Sequence, residues 1–447
     1  MTDPSNAGRP STENVYNRVF WFAYAANIVM VGANALTFRF AELVAFLGGT
    51  EQTTGEIIQV GVLGALVCRL FLGRWLDRYG TRTVWLLSAF LFGFSSVVFV
   101  ACRDISWTIF VARIAFAVGV AGMATSSIVH VQNQVPRHRR TEVIGNFGSS
   151  GFIGMVAGSQ VGDVIFRLTT DGLTRFYILF GLTAGLAVVY MLLVMAATRG
   201  QVHQRPLVTP GPVRLLFRHW PGMVVLVAMM MGVSFTITTV FLTRMTTGRG
   251  LGGIGTFFLG YCVSAFVFRV ASSRWESRLG NDGLLLLGLA GHAVAHVLLA
   301  WTMSPWQLIL PAVVGGFGHA LLFPSVVSIG AGAFPREYRG TGTTLVLGFT
   351  EVGVAISAPV LGWVIDTSRA AGMADPFAPM FYTSAGAAAS VGLVYAWSSF
   401  RNRRKTSSEQ SASGPLVIVG GAASTDIEIA PHGAATNARI PSCEQST

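Results

Sequence analysis

The sequence predicts an all-α polytopic membrane protein whose twelve transmembrane helices form two pseudo-symmetric six-helix bundles. Three observations carry this expectation. Of 447 residues, 52% are hydrophobic and 11% charged, with 52 glycines, which excludes an ordinary soluble enzyme and a disordered chain alike. Apolar residues gather in twelve runs, near 19–40, 57–76, 83–101, 107–130, 143–166, 175–197, 222–243, 252–273, 283–302, 306–333, 343–365 and 378–399. Most reach the roughly 20 residues that cross a bilayer core. The chain also repeats itself: Arg69, Arg74, Trp75, Arg78 and Gly80 return as Arg269, Arg274, Trp275, Arg278 and Gly280, an offset of 200.

Residues 1–18 are polar and lack a short apolar core with a cleavage site, so they read as a cytoplasmic N-terminal segment rather than a signal peptide. With that end inside, the inward connections carry Arg74, Arg78 and Arg82, then Arg137, Arg139 and Arg140, and later Arg199, Arg205, Arg214 and Arg218. The outward connections hold fewer, chiefly Arg103, Arg167, Arg175, Arg244, Arg249 and Arg369. Both ends are therefore expected in the cytoplasm. The net charge of +11 would suggest a nucleic-acid partner in a soluble chain. Here the arginines stand in small groups between apolar runs and form no continuous basic face, so none is expected. Cys68, Cys102, Cys262 and Cys443 lack paired spacing, which indicates neither a disulfide framework nor a zinc site.

The first bundle is expected over 19–198 and the second over 221–400. Between them, the connection 199–220 holds Pro206, Pro210 and Pro212 and reads as a central cytoplasmic loop. The remainder, 401–447, is rich in Ser, Ala, Gly and Thr and is expected to be a disordered cytoplasmic tail. A second set of echoes supports the halving. Ser106-Trp107 and Pro305-Trp306 open the fourth and tenth runs, and the stretch from Pro136 to Arg140 returns from Pro335 to Arg339, an offset of 199. Parallel repeats of six spans belong to carriers whose halves rock around a midplane site.

Between the second and third runs the chain reads Gly73-Arg74-Trp75-Leu76-Asp77-Arg78-Tyr79-Gly80-Thr81-Arg82. This resembles the signature of the major facilitator superfamily: Gly, three residues, Asp, a basic residue, any residue, Gly, then basic residues, with Thr81 in one basic position. The charges lie between two apolar runs and are expected at a membrane surface, where Gly80 turns the chain. Gly73 and Asp77 are one turn apart on one helical face. The glycine would let a neighbouring helix approach while the carboxylate meets its positive end. The resemblance implies a cytoplasmic gate built from Gly73, Asp77, Arg78, Gly80 and Arg82. In the second copy Ser273 and Ser277 hold the Gly and Asp positions, so that latch is expected to be weaker.

Further motifs extend the likeness over residues 17–400. Arg113, followed by Gly119 and Gly122, is similar to the family's fourth-helix motif, whose buried arginine is associated with proton coupling. An arginine inside a span is functional by default, although one near the outer end can snorkel. Gly145, Gly154, Gly158 and Gly162 match the spacing of the family's antiporter helix, except that Ser159 replaces proline and Asp163 the last glycine. Small-residue packing explains glycines there as well. The stretch from Gly316 to Ser325, with Arg339-Gly340-Thr341-Gly342 and Pro359, resembles sugar-efflux and drug-efflux members, arabinose-efflux-like permeases of bacterial inner membranes.

Proton coupling needs a titratable group whose protonation alternates with access. Glu351, in the middle of the eleventh run, is the clearest such carboxylate. Glu142 and Asp163 lie at the ends of the fifth run, and Glu42 follows the first, within reach of Arg39. His319 in the tenth run is a second candidate for coupling or substrate, because the resemblance places that helix on the cavity. Asn27 and Asn34, a heptad apart, together with Thr238 and Tyr261, are candidate cavity-lining residues. Interhelical hydrogen bonds would account for each equally well. His292 and His296, one turn apart, invite a metal but lack a third ligand nearby in sequence, and no metal or other cofactor is expected.

These readings converge on a monomeric secondary transporter in a lipid bilayer, moving a small organic solute, with protons and in the direction of efflux. Import, a non-transporting sensor and a polytopic membrane enzyme stand as alternatives. No metalloprotease, nucleotide-binding or nucleophile-elbow motif supports the enzyme.

Overall fold

Helix boundaries follow local capping chemistry in the computed structural model, which describes residues 16–135, 140–170, 172–200, 211–335 and 338–412. Helix α1 (Arg18–Leu36) begins after Asn17, whose side-chain oxygen accepts the Phe20 amide at 3.0 Å. A short 3-10 turn, Thr37–Arg39, joins it to α2 (Phe40–Phe46). Thr50 caps α3 (Glu51–Tyr79) by accepting the Thr53 amide, and α3 ends at Gly80, where φ is 82°. Only glycine adopts that angle without strain, so α4 (Thr81–Ala101) starts at once on a new axis.

The rest of the first half comprises α5 (Trp107–Asn133), α6 (Arg140–Leu168) and α7 (Thr174–Ala197). A short helix, α8 (Pro212–Arg218), opens on proline within the expected central loop. The seventh run splits into α9 (Val224–Thr236), a π-helical stretch at Ile237–Phe241 and α10 (Leu242–Gly248). Helix α11 (Gly255–Ala300) contains the eighth and ninth runs, broken at Gly280 with φ 65°. Gly280 thus repeats the turn of Gly80 at the offset read from the sequence. The remaining helices are α12 (Ile309–Gly332), α13 (Arg339–Ala370) and α14 (Ala378–Ala412).

All twelve expected runs coincide with helix, and no strand occurs among the described residues. Nine helices there are long and apolar enough to cross a membrane, and Gly255–Ala271 is a shorter apolar helix. Helix α4 shows the pattern of a lipid-facing span: Leu87, Phe90, Phe94 and Val97 are exposed along one stripe, while Trp85, Ala89, Phe92 and Phe99 are buried on the other. The chain is a multi-pass, all-α membrane protein.

Within each half, α1 packs on α6 and α7, α4 on α5 and α7, α11 on α12, and α9 on α13. Two further pairs join the halves: α3 with α13, and α6 with α11. Close approach of α1 and α6 depends on glycine, since a side chain at Gly158 would strike the backbone of Gly32. The chain up to Phe400 forms one compact unit and Arg401–Thr447 a second. The division falls where the tail was expected to begin, and helix is present in the second unit as far as Ala412. From Arg401 to Ala412 the sequence holds no glycine or proline to interrupt the helix.

Candidate functional site

Two helix ends are capped by carboxylates from distant segments. Asp163, late in α6 and 6% exposed, accepts the backbone amides of Ile254 at 3.2 Å and Gly255 at 2.6 Å, where α11 begins. Asp366, late in α13, accepts those of Glu51 at 3.3 Å and Gln52 at 2.7 Å, where α3 begins. Each carboxylate satisfies orphan amides and meets the positive end of a helix dipole. Donors and acceptors of the two caps correspond at one offset of 203 residues, so they form a twofold-related pair. Both caps join the halves. Gly253 and Gly255 leave the space that the Asp163 carboxylate fills.

Arginines complete this end. Arg39 is ion-paired with Asp163, both side chains are buried, and its guanidinium lies 4.0 Å from the Phe166 ring centre. The expected Arg39–Glu42 pair is absent. The 3-10 turn at Thr37–Arg39 breaks the regular helical register on which that spacing relied, and Arg39 reaches α6 instead. Glu42 accepts from Arg244 at 3.1 Å and from the Thr247 hydroxyl at 2.7 Å. Arg244 also donates to Glu51 at 3.0 Å, and Arg369 bridges Glu51 at 3.4 Å and Asp366 at 2.9 Å.

Glu351 lies fifteen residues before Asp366 on α13, about 22 Å along the helix axis. It is ion-paired with Arg69 of α3, whose Nε donates to Oε2 at 2.9 Å. Arg69 is therefore not at a membrane surface. Helix α3 runs unbroken for another eleven residues to Gly80, which sets Arg69 about 16 Å inside that end.

A second group in the bundle is aromatic. The His319 ring centre is 5.6 Å from Phe235, 5.8 Å from Tyr261 and 5.9 Å from Phe323. Arg269 of α11 lies over Phe323 of α12 at 5.2 Å and over Phe152 of α6 at 5.8 Å. Tyr261 and Thr238 are buried, and the Thr238 hydroxyl donates to its own helix, to the Ser234 carbonyl at 3.0 Å. Asn27 bonds Ser150 of α6 at 2.7 Å, an interhelical role. Asn34 is half-buried, and its carbonyl accepts from Thr37 at 2.6 Å.

Arg113 does not snorkel. Its guanidinium lies 4.8 Å from the Phe40 ring and 4.7 Å from Phe116, with Nε and Nη1 buried and without hydrogen-bond partners. Gly61 of α3 leaves room for it. Gly154 and Gly158 face α1, and Gly162 faces Arg39. At the opposite end of the bundle, no atom of the described residues beyond its own helix and chain neighbours lies within 4 Å of the position a Gly73 side chain would take. Arg78 and Arg82 are exposed around Gly80. Gly145 and the side chains of Asp77, Glu142, Ser273 and Ser277 lie outside the described residues, as do Arg137, Arg139 and Arg336. Among the described residues no metal-binding group of three ligands occurs; His292 and His296 stand with ring centres 6.1 Å apart, and Ser384 lies 3.1 Å from His296.

The sequence singled out Glu351, which the structure pairs with Arg69, and His319 and Tyr261, whose rings it brings together. It missed Arg69, Glu51, Asp366 and Arg244 as site residues. A signal existed for Arg69, which stands seven residues before the end of the apolar run that closes at 76.

Two bundles joined by charged caps at one end, with an ion pair inside, define a polytopic membrane carrier. The Major Facilitator Superfamily description matches residues 20–301 and 224–430, and the chain belongs to that transporter family. Similar curated relatives include the uncharacterized MFS-type transporter YhhS of Escherichia coli (strain K12), 22% identical over 230 residues. That match covers 42% of this chain and 55% of the relative. YhhS of Salmonella typhi is 21% identical over 163 residues, 36% of this chain and 38% of the relative. The chain thus spans about half, or less, of the curated relatives it matches. Similar solved structures share the fold. They include the nucleoside transporter NupG, with TM-score 0.67 and 14% identity over 85% of this chain and 98% of that one. A D-xylose-proton symporter gives TM-score 0.67 and 14% identity over 84% and 96%.

Proposed function

We propose that the protein is a proton-coupled secondary transporter that exports a small, partly apolar organic solute by alternating access, acting as a monomer in the bacterial inner membrane. The observation that carries this reading is the Arg69–Glu351 pair. A carboxylate deep in the bundle is held by an arginine from the other half, and the two side chains are 19% and 22% exposed. Protonating Glu351 removes its charge and weakens the α3–α13 contact, which links proton occupancy to the relative position of the halves. Under the positive-inside rule the Asp163 and Asp366 caps would face the outer side and Gly73 the cytoplasmic side. The aromatic group around His319 and Arg269 is the proposed solute contact. Rings with a few polar groups suit a partly apolar organic molecule.

The glycine spacing of α6 supports export. The likeness to a D-xylose-proton symporter favours a second reading, import with protons. Purified protein in liposomes under an imposed pH gradient tests the proposal: wild type should move solute against the proton flow, and Glu351→Gln should retain solute exchange without gradient-driven accumulation. Flux in the same direction as protons would select import. Gradient-driven accumulation undiminished in Glu351→Gln would remove Glu351 as the coupling group.

A further inference from the structure

Arg69 and Arg269 occupy twofold-related places: each stands eleven residues before a turning glycine, Gly80 or Gly280, and so at the same depth along its helix. What the opposite half supplies to each is different. Arg69 meets the carboxylate of Glu351 on α13. The echoes that relate the halves run at offsets from 199 to 203, which places the counterpart of Glu351 within Gly148, Ser149, Ser150, Gly151 and Phe152 of α6. Arg269 meets the last of these, with its guanidinium 5.8 Å from the Phe152 ring centre. One half thus offers its partner's arginine an acid and the other half offers a ring.

The group around Arg269 suits a ligand that carries a flat acid on an apolar body. Phe323 of α12 holds the guanidinium at 5.2 Å, so rings from both halves contact it. Such contacts act on the charge, whereas the N–H donors form a planar fork that matches the two oxygens of a carboxylate. Phe323 also adjoins His319, which adjoins Phe235, so a ring-lined surface continues from the guanidinium. Arg269, Phe152, Phe323, His319 and Phe235 are all half-buried, which leaves each within reach of a bound molecule. A single arginine matches one negative charge. A doubly charged group such as a phosphate would carry an excess charge into surroundings of low dielectric, at a high cost.

We propose that Arg269 is the anion-recognising residue of the solute site and that the solute is a small monocarboxylate with an aromatic or similarly apolar body. Its carboxylate docks on the guanidinium of α11. Its body lies against Phe152 of the first half and against Phe323 and His319 of the second, so one ligand touches both halves. This assignment rests on the ring group being the solute contact; it requires neither proton coupling nor a direction of transport.

The test compares matched acids and amides on the purified full chain in lipid nanodiscs: benzoate with benzamide, phenylacetate with phenylacetamide, and hydrocinnamate with hydrocinnamamide. Calorimetric titration measures binding at a pH where the acids are ionised. Wild type should bind an acid of this series more tightly than its amide by roughly ten- to a hundredfold, the worth of a charge-assisted bidentate pair. Arg269→Gln should abolish that preference and leave the amide's affinity as it was. Arg269→Lys keeps the charge without the fork and should fall between the two. Melting curves check that both variants are folded; if Arg269→Gln is not, Arg269→Lys decides by the same comparison. The proposal is overturned if no acid binds wild type, if wild type does not distinguish acid from amide, or if the preference is unchanged in the folded variant. Failure of the carrier reading looks different: acid binding that depends on Arg269, without flux into liposomes, would refute transport and support this site.

Discussion

Replacing Asp163 by asparagine should open the capped end much more readily than the same change at Asp366, although the two carboxylates make matching backbone bonds. Arg39 and Asp163 are buried as a pair, with side chains 4% and 8% exposed. Removing one partner of such a pair strands the other charge and costs about 3–5 kcal/mol. Asparagine keeps one acceptor for the Ile254 and Gly255 amides, so about 3 kcal/mol is a fair expectation, roughly a hundredfold shift towards open. Asp366 sits in wetter surroundings: its side chain is 20% exposed and that of Arg369 is 46% exposed. A pair of that kind contributes about 0.2–1 kcal/mol. With one weakened cap bond, Asp366→Asn should shift the ratio by roughly fivefold, about 1 kcal/mol. Distance distributions between labels at Trp107 and Met373 measure both ratios, and thermal unfolding in detergent checks that each variant is folded. Equal effects, or a larger one at Asp366, would refute the argument that burial of the pair sets the strength of the cap.

Other expectations concern packing and the interior charges. Gly158→Val should separate α1 from α6 and lower thermal stability by about 1–3 kcal/mol, the cost of overpacking. Gly185→Ala should be tolerated, because nothing lies within 4 Å of that site; parallel melting curves compare the two. Arg113→Met removes a guanidinium with two buried, unpartnered nitrogens and should keep or raise stability while lowering solute flux, measured by melting and by liposome uptake on one preparation. His319→Phe preserves the ring contacts with Phe235, Tyr261 and Phe323, so it should change solute affinity and leave the pH dependence of flux intact. A lost pH dependence would transfer the coupling role from Glu351 to His319.

The sequence by itself determined where the chain is helical and how it repeats. Apolar runs of membrane-spanning length leave the backbone little alternative to helix, since each amide must be satisfied within its own segment. Gly80 and Gly280 were legible for a similar reason: a positive φ between two helices calls for glycine. Glu351 was legible as a carboxylate stranded in an apolar run. Its partner was not, because no periodicity within one segment tells which helix of the other half lies alongside, and Arg69 is 282 residues away. The 3-10 turn that sends Arg39 to Asp163 instead of Glu42 was equally invisible to helical spacing rules. The caps at Asp163 and Asp366 were decided by tertiary structure alone. A carboxylate late in one helix is an ordinary residue until packing brings the open amides of another helix within 2.6–3.3 Å of it, and only then does it join the two halves.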